Sequence, residues 1–569
     1  MRRHWPLVLV LAAFVAAAFV IPTLAPVSVN DDFLYARSVQ ILVHDHHVRV
    51  LPAAAMTLVF QIGWGGLFAA VFGDSLGVLR AATVTFAGLG GLAMYALCRE
   101  LKVTPARSAL GVAVFLFNPI GLALSYTFMT DTYLLTLVTV AVWCFVRGLR
   151  GGEPDVRWTL AGSVATSLAF LVRQPGLLVA IGVLTWLLLA RQLRWDRRSV
   201  GIVARVVALP VLTAVAYYLW AGPLHGVPAR SGQSTSAHAV TDAGVGGSLA
   251  LSRYLVVFLV VYLGLFVLPI VVGLVASVLG MVRAIDRPRR VALLGVIAAP
   301  IALSIGAFGL VEGHQPWAPQ FFGRVGVGPV DIRGGRPFVL PLKVTGALLV
   351  VAMAAALVLV LALLQRRRPA ESRLGLLLAV GAWLALAVVP QSMPLRDSTY
   401  SYDRYFLPLL PLAVAGLLGA VRPVRIIAPV AWTAVALMAG FSVAATHDHL
   451  ALQRATWRLA ASARADGIPA RDLDAGAAWD GTHLYEHDFV HGVRVKVDLR
   501  ELRKLGFTDH FALSPRDGPA WWLSYYARSD TSRYVVAGDR LYGYAVVRRI
   551  EYPSWLHRDP QHLYLLRAR

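Results

Sequence analysis

"SALGVAVFLFNPIGLALSYTFMTDTYLLTLVTVAVWCFV", residues 108–146, is almost uninterruptedly apolar. A helix crosses a bilayer core of about 30 Å with roughly 20 residues, so this stretch has about twice the length that one span needs. It must fold back on itself, and the polar "SYTFMTD" puts the bend near 125–131, with Asp131 at the mouth of the returning helix. The same reading carried along the chain gives a polytopic α-helical membrane protein. Its 569 residues are 57% hydrophobic and only 15% charged, with a mean hydropathy of +0.64, whereas soluble domains average about 25% charged residues.

About thirteen spans are expected on length alone, at 6–26, 76–98, 108–124, 132–147, 158–172, 176–190, 200–221, 251–281, 291–311, 343–364, 374–390, 405–421 and 424–445. The net charge of +22 gathers in "MRRH", "CRELKVTPAR", "RGLRGGEPDVR", "RQLRWDRR", "RAIDRPRR", "QRRRPAESR" and "VRPVR", which occupy alternate gaps between apolar runs. That is the positive-inside pattern, which accounts for the charge without nucleic acid. It puts the N-terminus in the cytoplasm and, with an odd number of spans, the C-terminus outside. The first apolar segment reads as an uncleaved anchor. Cys98 and Cys144 both fall at cytoplasmic helix ends and give no disulfide framework. The Ala-, Val- and Arg-rich composition suggests a multi-pass protein of a plasma (inner) membrane.

The long connections lie outside. Residues 27–75 carry "NDDFLYA", "HDHHVRV" and an apolar stretch punctuated by Gly and Trp, expected to lie in or re-enter the interface rather than to span. Residues 222–250 are rich in Gly, Ser and Thr, and 312–342 interleave aromatics with Arg as a headgroup-level surface would. Residues 1–445 thus form a membrane domain. Residues 446–569 form a small external (periplasmic) α/β domain, beginning with an amphipathic helix in "THDHLALQRATWRLAASARADG" and continuing through "SRYVVAGD", "YAVVRRI" and "HLYLLRAR".

Charges near hydrocarbon cost roughly 2.5–3.5 kcal/mol each on insertion scales, which makes the outward acids and cations functional candidates. Asp31 and Asp32 follow the first span, and Asp131 follows the hairpin bend. Helix capping would account for one of the first pair, or for Asp131, but not for all three. Arg173 in "FLVRQPG", Arg396 in "PLRDSTY" and Arg404 with Tyr405 in "YSYDRYFLPLLP" are individually compatible with interfacial anchoring. Together they give one face both carboxylates and guanidinium groups. Glycosyl transfer from a lipid-linked phosphosugar needs that pair: a carboxylate takes the acceptor hydroxyl's proton, and a guanidinium fork stabilises the departing phosphate. A second acid could orient the first, bind sugar hydroxyls or help hold a divalent metal.

In "NDDFLYA", "VFGDSLGVLRAATVTFAGLGGLAMYALCREL" with Arg80, "LFNPIGLALSYTFMTDTYLLTL" and "RYFLPLLPLA", taken in this order, the chain resembles the type C superfamily of polytopic glycosyltransferases. The relatives meant are the protein O-mannosyltransferases and the lipid A aminoarabinose transferases, and the likeness covers about residues 5–445. The resemblance implies a polyprenyl-phosphate-linked sugar as donor, a glycan, lipid or protein acceptor, and a site open to the outer leaflet. It implies Asp31 or Asp32 as general base, Asp131 as a second carboxylate and Arg404 as a phosphate ligand. An inverting reaction is expected. Where the aminoarabinose branch has a Lys, this chain has Arg173 in "RQPG", and the two side chains are not interchangeable.

Other signals are weaker. The histidines of "HDHHVRV" and "THDHL" lack zinc-site spacing, and "GRVGVGP" has no βαβ context for a nucleotide. A transporter or lipid flippase would call for repeats and mid-membrane charges. A non-catalytic scaffold binding envelope polymers would tolerate Asp32→Asn.

Overall fold

The computed structural model describes residues 4–51, 53–150, 154–224, 233–283, 295, 318, 320–365, 373–393, 401–485 and 533–569. It is built mainly of helices. Among the described residues, eight are long and apolar enough to cross a membrane: Leu76–Glu100, Thr130–Gly148, Arg197–Gly222, Val240–Val272, Leu342–Leu364, Arg373–Ser392, Asp403–Ala420 and Ala428–Ala465. A ninth is formed if the bent pair Pro105–Phe117 and Pro119–Ser125 counts as one span. These coincide with nine of the thirteen expected segments. Of the other four, the helices Trp5–Val20, Val156–Phe170 and Gln174–Leu189 are shorter than a straight crossing needs, and 291–311 lies outside the described residues apart from residue 295.

The 108–146 hairpin forms, with a break inside its first arm. Pro119 cannot donate to the helix ladder, and Asn118 takes over as cap, its Oδ1 accepting from Ile120 N (3.1 Å) and Gly121 N (3.2 Å). The axis bends by 63° there. The chain then turns through 126–129 into Thr130–Gly148, which packs between the helices Leu76–Glu100 and Val156–Phe170. The apolar stretch of the first loop forms the helix Val59–Phe72, about 21 Å long. Leu67, Val71 and Phe72 on it are exposed.

Helix Ala428–Ala465 runs unbroken through residue 445 and into the C-terminal region. Against its second half lies a four-stranded sheet of order β3-β4-β6-β5, formed by β3 (Leu473–Asp474), β4 (Tyr534–Ala537), β5 (Tyr544–Tyr552) and β6 (Gln561–Ala568). β3 runs parallel to β4 and the other pairs are antiparallel. Leu452, Ala455, Leu459 and Ala463, spaced by three or four and so on one helical face, meet Val536, Leu563 and Leu565 in a common core. Residues 320–336 join this layer: Arg333 Nε donates to Asp474 Oδ2 (2.7 Å), and its carbonyl accepts from Gly538 N (2.8 Å).

Candidate active site

The first loop is pinned from the membrane side. Arg80, 1% exposed, donates Nη1 to the carbonyls of Thr23 and Ala25 and Nη2 to that of Val27, at 2.8–2.9 Å. The chain then passes through Asn30 at φ +55°, a left-handed turn that Asn tolerates better than most residues. From there it enters the helix Asp32–Asp45.

The two adjacent acids have different surroundings. Asp32 is 1% exposed and its carboxylate is fully engaged: Ser28 Oγ and Val29 N (2.8 Å) donate to Oδ1, and Phe128 N (3.4 Å) to Oδ2. It stitches the first loop to the hairpin bend. Burial pushes its pKa up to about 6, against the opposing Arg80 charge and these hydrogen bonds. Asp31 stands at the N-cap position, yet its side chain makes no capping bond. It is half-buried and is an electrostatic neighbour of Tyr35 and Arg404. Neither acid caps its own helix, because Asp32 turns back to Ser28 and Val29.

Asp131 lies in the first turn of Thr130–Gly148, where no side-chain cap is made either. Instead its Oδ1 accepts from Arg173 Nη1 at 3.1 Å, and its Oδ2 lies 3.6 Å from Arg404 Nη1. Arg173 reaches this point because the helix Val156–Phe170 ends there and the strap 57–60 clamps it. Leu58 N donates to Val172 O (3.2 Å), Phe60 N to Leu171 O (3.1 Å), and Thr57 Oγ1 to Phe170 O. Arg404 is fixed by its neighbour Asp403, whose carboxylate accepts from the N–H groups of Gln320, Phe321 and Phe322. Tyr405 bridges the two cations, its ring centre 5.0 Å from the Arg173 guanidinium and 5.8 Å from that of Arg404.

The fold therefore gathers Asp31, Asp131, Arg173, Arg404 and Tyr405, with Asp32 beside them in a bracing position. Arg396 lies outside the described residues. Tyr35 was missed by sequence reasoning: burial pushes its phenol far up, and Asp31, Arg404, Arg173 and Asp131 all act on it. Its position four residues after Asp31, on the same helix face, is the signal that could have found it. Nothing in the sequence marks Asp403 as the partner of the distant N–H groups of 320–322.

Buried polar atoms in native proteins nearly always have partners. Around this site several have no hydrogen-bond partner among the described residues: Arg404 Nε and Nη1, Asp131 Oδ2, Tyr126 Oη, Thr130 Oγ1 and Thr132 Oγ1. Such a cluster suits a polar, anionic guest. Of the neighbouring carboxylates, Asp32 is committed to three donors and Asp131 Oδ1 to Arg173. Among the described residues no group of three or more metal-ligating side chains converges.

Residues 64–218 match the family model of the dolichyl-phosphate-mannose-protein mannosyltransferases. Among solved structures, it is similar to ArnT from Cupriavidus metallidurans bound to undecaprenyl phosphate, at 15% identity and a TM-score of 0.42 over 98% of this chain and 97% of that one. It is also similar to the oligosaccharyltransferase AglB from Archaeoglobus fulgidus in complex with an inhibitory peptide and a dolichol-phosphate, at 14% identity and a TM-score of 0.42 over 82% of this chain. The match spans 58% of that oligosaccharyltransferase's length. No curated protein matches the chain in sequence.

Proposed function

We propose that the chain is a membrane glycosyltransferase that moves a sugar from a polyprenyl-phosphate donor to an acceptor hydroxyl on the outer face of the membrane, with inversion. The observation that carries this reading is the buried Asp131 holding Arg173 while Arg404 keeps two nitrogens without a hydrogen-bond partner among the described residues. Those two Arg404 nitrogens stand in a desolvated place, where a guanidinium holds an anion far more strongly than it would in water. A leaving lipid phosphate gains negative charge as its bond to the anomeric carbon breaks, so these cations favour the transition state over the bound donor.

Asp31 is assigned as the general base, because it is the acid of the pair that neighbours Tyr35 and Arg404 electrostatically, whereas Asp32 braces the first loop against the hairpin bend. It takes the acceptor proton while the oxygen attacks the anomeric carbon from the side opposite the phosphate. Tyr35 stays neutral, kept so by its burial, and hydrogen-bonds the donor. The name of the matched family supports a lipid-linked sugar and admits a protein acceptor. The test offers labelled polyprenyl-phosphate sugars to the purified protein with crude envelope acceptors. Consumption of one donor by wild type and its loss in folded Asp31→Asn would support the assignment; no consumption of any donor would sink it and favour a flippase or scaffold.

A further inference from the structure

Behind the acid-bearing helix lies a piece of the C-terminal region that the chemistry above leaves unused. The helix Ala477–Leu484 packs directly on Asp32–Asp45. The two meet at Gly481, where a Cβ would fall inside the ring of Phe33, and Tyr485 adds an edge-on contact with the same ring at 6.3 Å. Phe33 follows Asp31 by two positions, about 200° around the helix, so it grips the back of the helix whose front carries Asp31 and Tyr35. The gripping helix is itself fixed. Gly476 adopts φ +92° where a side chain would meet Asp331 O, Ala477 N donates to that oxygen at 2.9 Å, and Trp479 is 2% exposed. The segment holding Asp331 runs back to Phe321 and Phe322, which donate to Asp403 beside Arg404.

We infer that Gly481 is a positioning residue: the helix Ala477–Leu484, seated on Phe33, braces Asp31 at its working distance from Arg404. The inference rests on the transferase reading above. It gives the C-terminal region a part in the chemical step as well as in any contact with acceptor. Misplacing a catalytic group by about 1 Å can cost on the order of 100-fold in rate, and bulk at Gly481 is opposed by the buried ring of Phe33.

The test uses the full-length protein with Gly481→Ala, Gly481→Val, Phe33→Ala and the pair Gly481→Val with Phe33→Ala. Gly440→Ala serves as control, since a Cβ there meets nothing within 4 Å. Turnover of a labelled donor and amide exchange of residues 32–45 are followed together. For Gly481→Val, kcat falls about tenfold or more while the donor KM stays within about twofold, because phosphate binding is made elsewhere. Exchange in 32–45 quickens, and removing the Phe33 ring in the same chain returns both readouts most of the way. Wild-type turnover by Gly481→Val, or a loss that Phe33→Ala does not relieve, overturns the brace. If wild type consumes no donor, the transferase reading fails by itself, and the exchange data still decide whether the contact holds the acid helix.

Discussion

Oδ1 of Asp131 accepts a 3.1 Å hydrogen bond from Nη1 of Arg173, with both side chains at most 5% exposed. A buried pair of this kind contributes little net stability when whole, but removing one partner strands the other charge, at a cost of about 3–5 kcal/mol.

Asp131→Asn is therefore expected to lower the melting temperature by several degrees, since Arg173 and Arg404 both lose their counter-charge. Polyprenyl phosphate should recover part of that loss, and by more than it stabilises wild type, because its phosphate replaces the missing anion. Equal ligand-induced shifts in the two proteins would argue that the phosphate binds elsewhere.

Arg404→Lys keeps the charge and loses the planar fork. Turnover is expected to fall about 100-fold or more, close to the loss in Arg404→Ala, because a point charge does not reproduce two directed bonds to one phosphate. Steady-state rates on the identified donor decide this, and a lysine variant near wild type would leave only bulk charge as the requirement.

The neighbouring acids should separate cleanly. Asp31→Asn is expected to lose about 100-fold to 10,000-fold in kcat, the usual range for a general base, with a smaller loss of stability than Asp32→Ser. Asp32→Ser should keep more activity and lose stability, since the bonds from Val29 and Phe128 disappear. The reverse pattern would exchange the two assignments.

Asp32 also sets a pH dependence. Its folded pKa of about 6 stands above the usual 3.8, so the folded state holds this proton more tightly than the unfolded chain does. Stability from this group is thus greatest below about pH 4 and declines as pH rises to about 6. Asp331, raised by burial, acts in the same direction, so the difference between wild type and Asp32→Asn is the informative quantity. That difference should shrink as the melts move from pH 7 to pH 5.

The sequence made the membrane helices legible wherever apolar length alone defines them, as in Leu76–Glu100 and Leu342–Leu364. It also marked the three C-terminal strands in "RYVVAG", "YAVVRRI" and "HLYLLRAR", where β-branched and aromatic residues cluster. Length could not reveal the break at Asn118 and Pro119, because the apolar run continues through it. Nor could the pattern rank Asp31 against Asp32. One residue of helical rotation separates Asp32, turned back to the donors of Ser28 and Val29, from Asp31, the electrostatic neighbour of Arg404, and the helix they begin follows the left-handed turn at Asn30. The carboxylate and guanidinium residue types were visible in advance. Their pairing across segments 42 and more than 200 residues apart, Asp131 with Arg173 and with Arg404, is a product of tertiary packing.

The helix Ala428–Ala465 contains 38 residues, about 57 Å of continuous rod against a hydrocarbon core of about 30 Å. A sheet mounted on a rod and not on a tether keeps a constant stand-off from the lipid. Any partner that reaches it must do so at one height, and a rotation of the last membrane helix turns the sheet with it like a vane on its shaft.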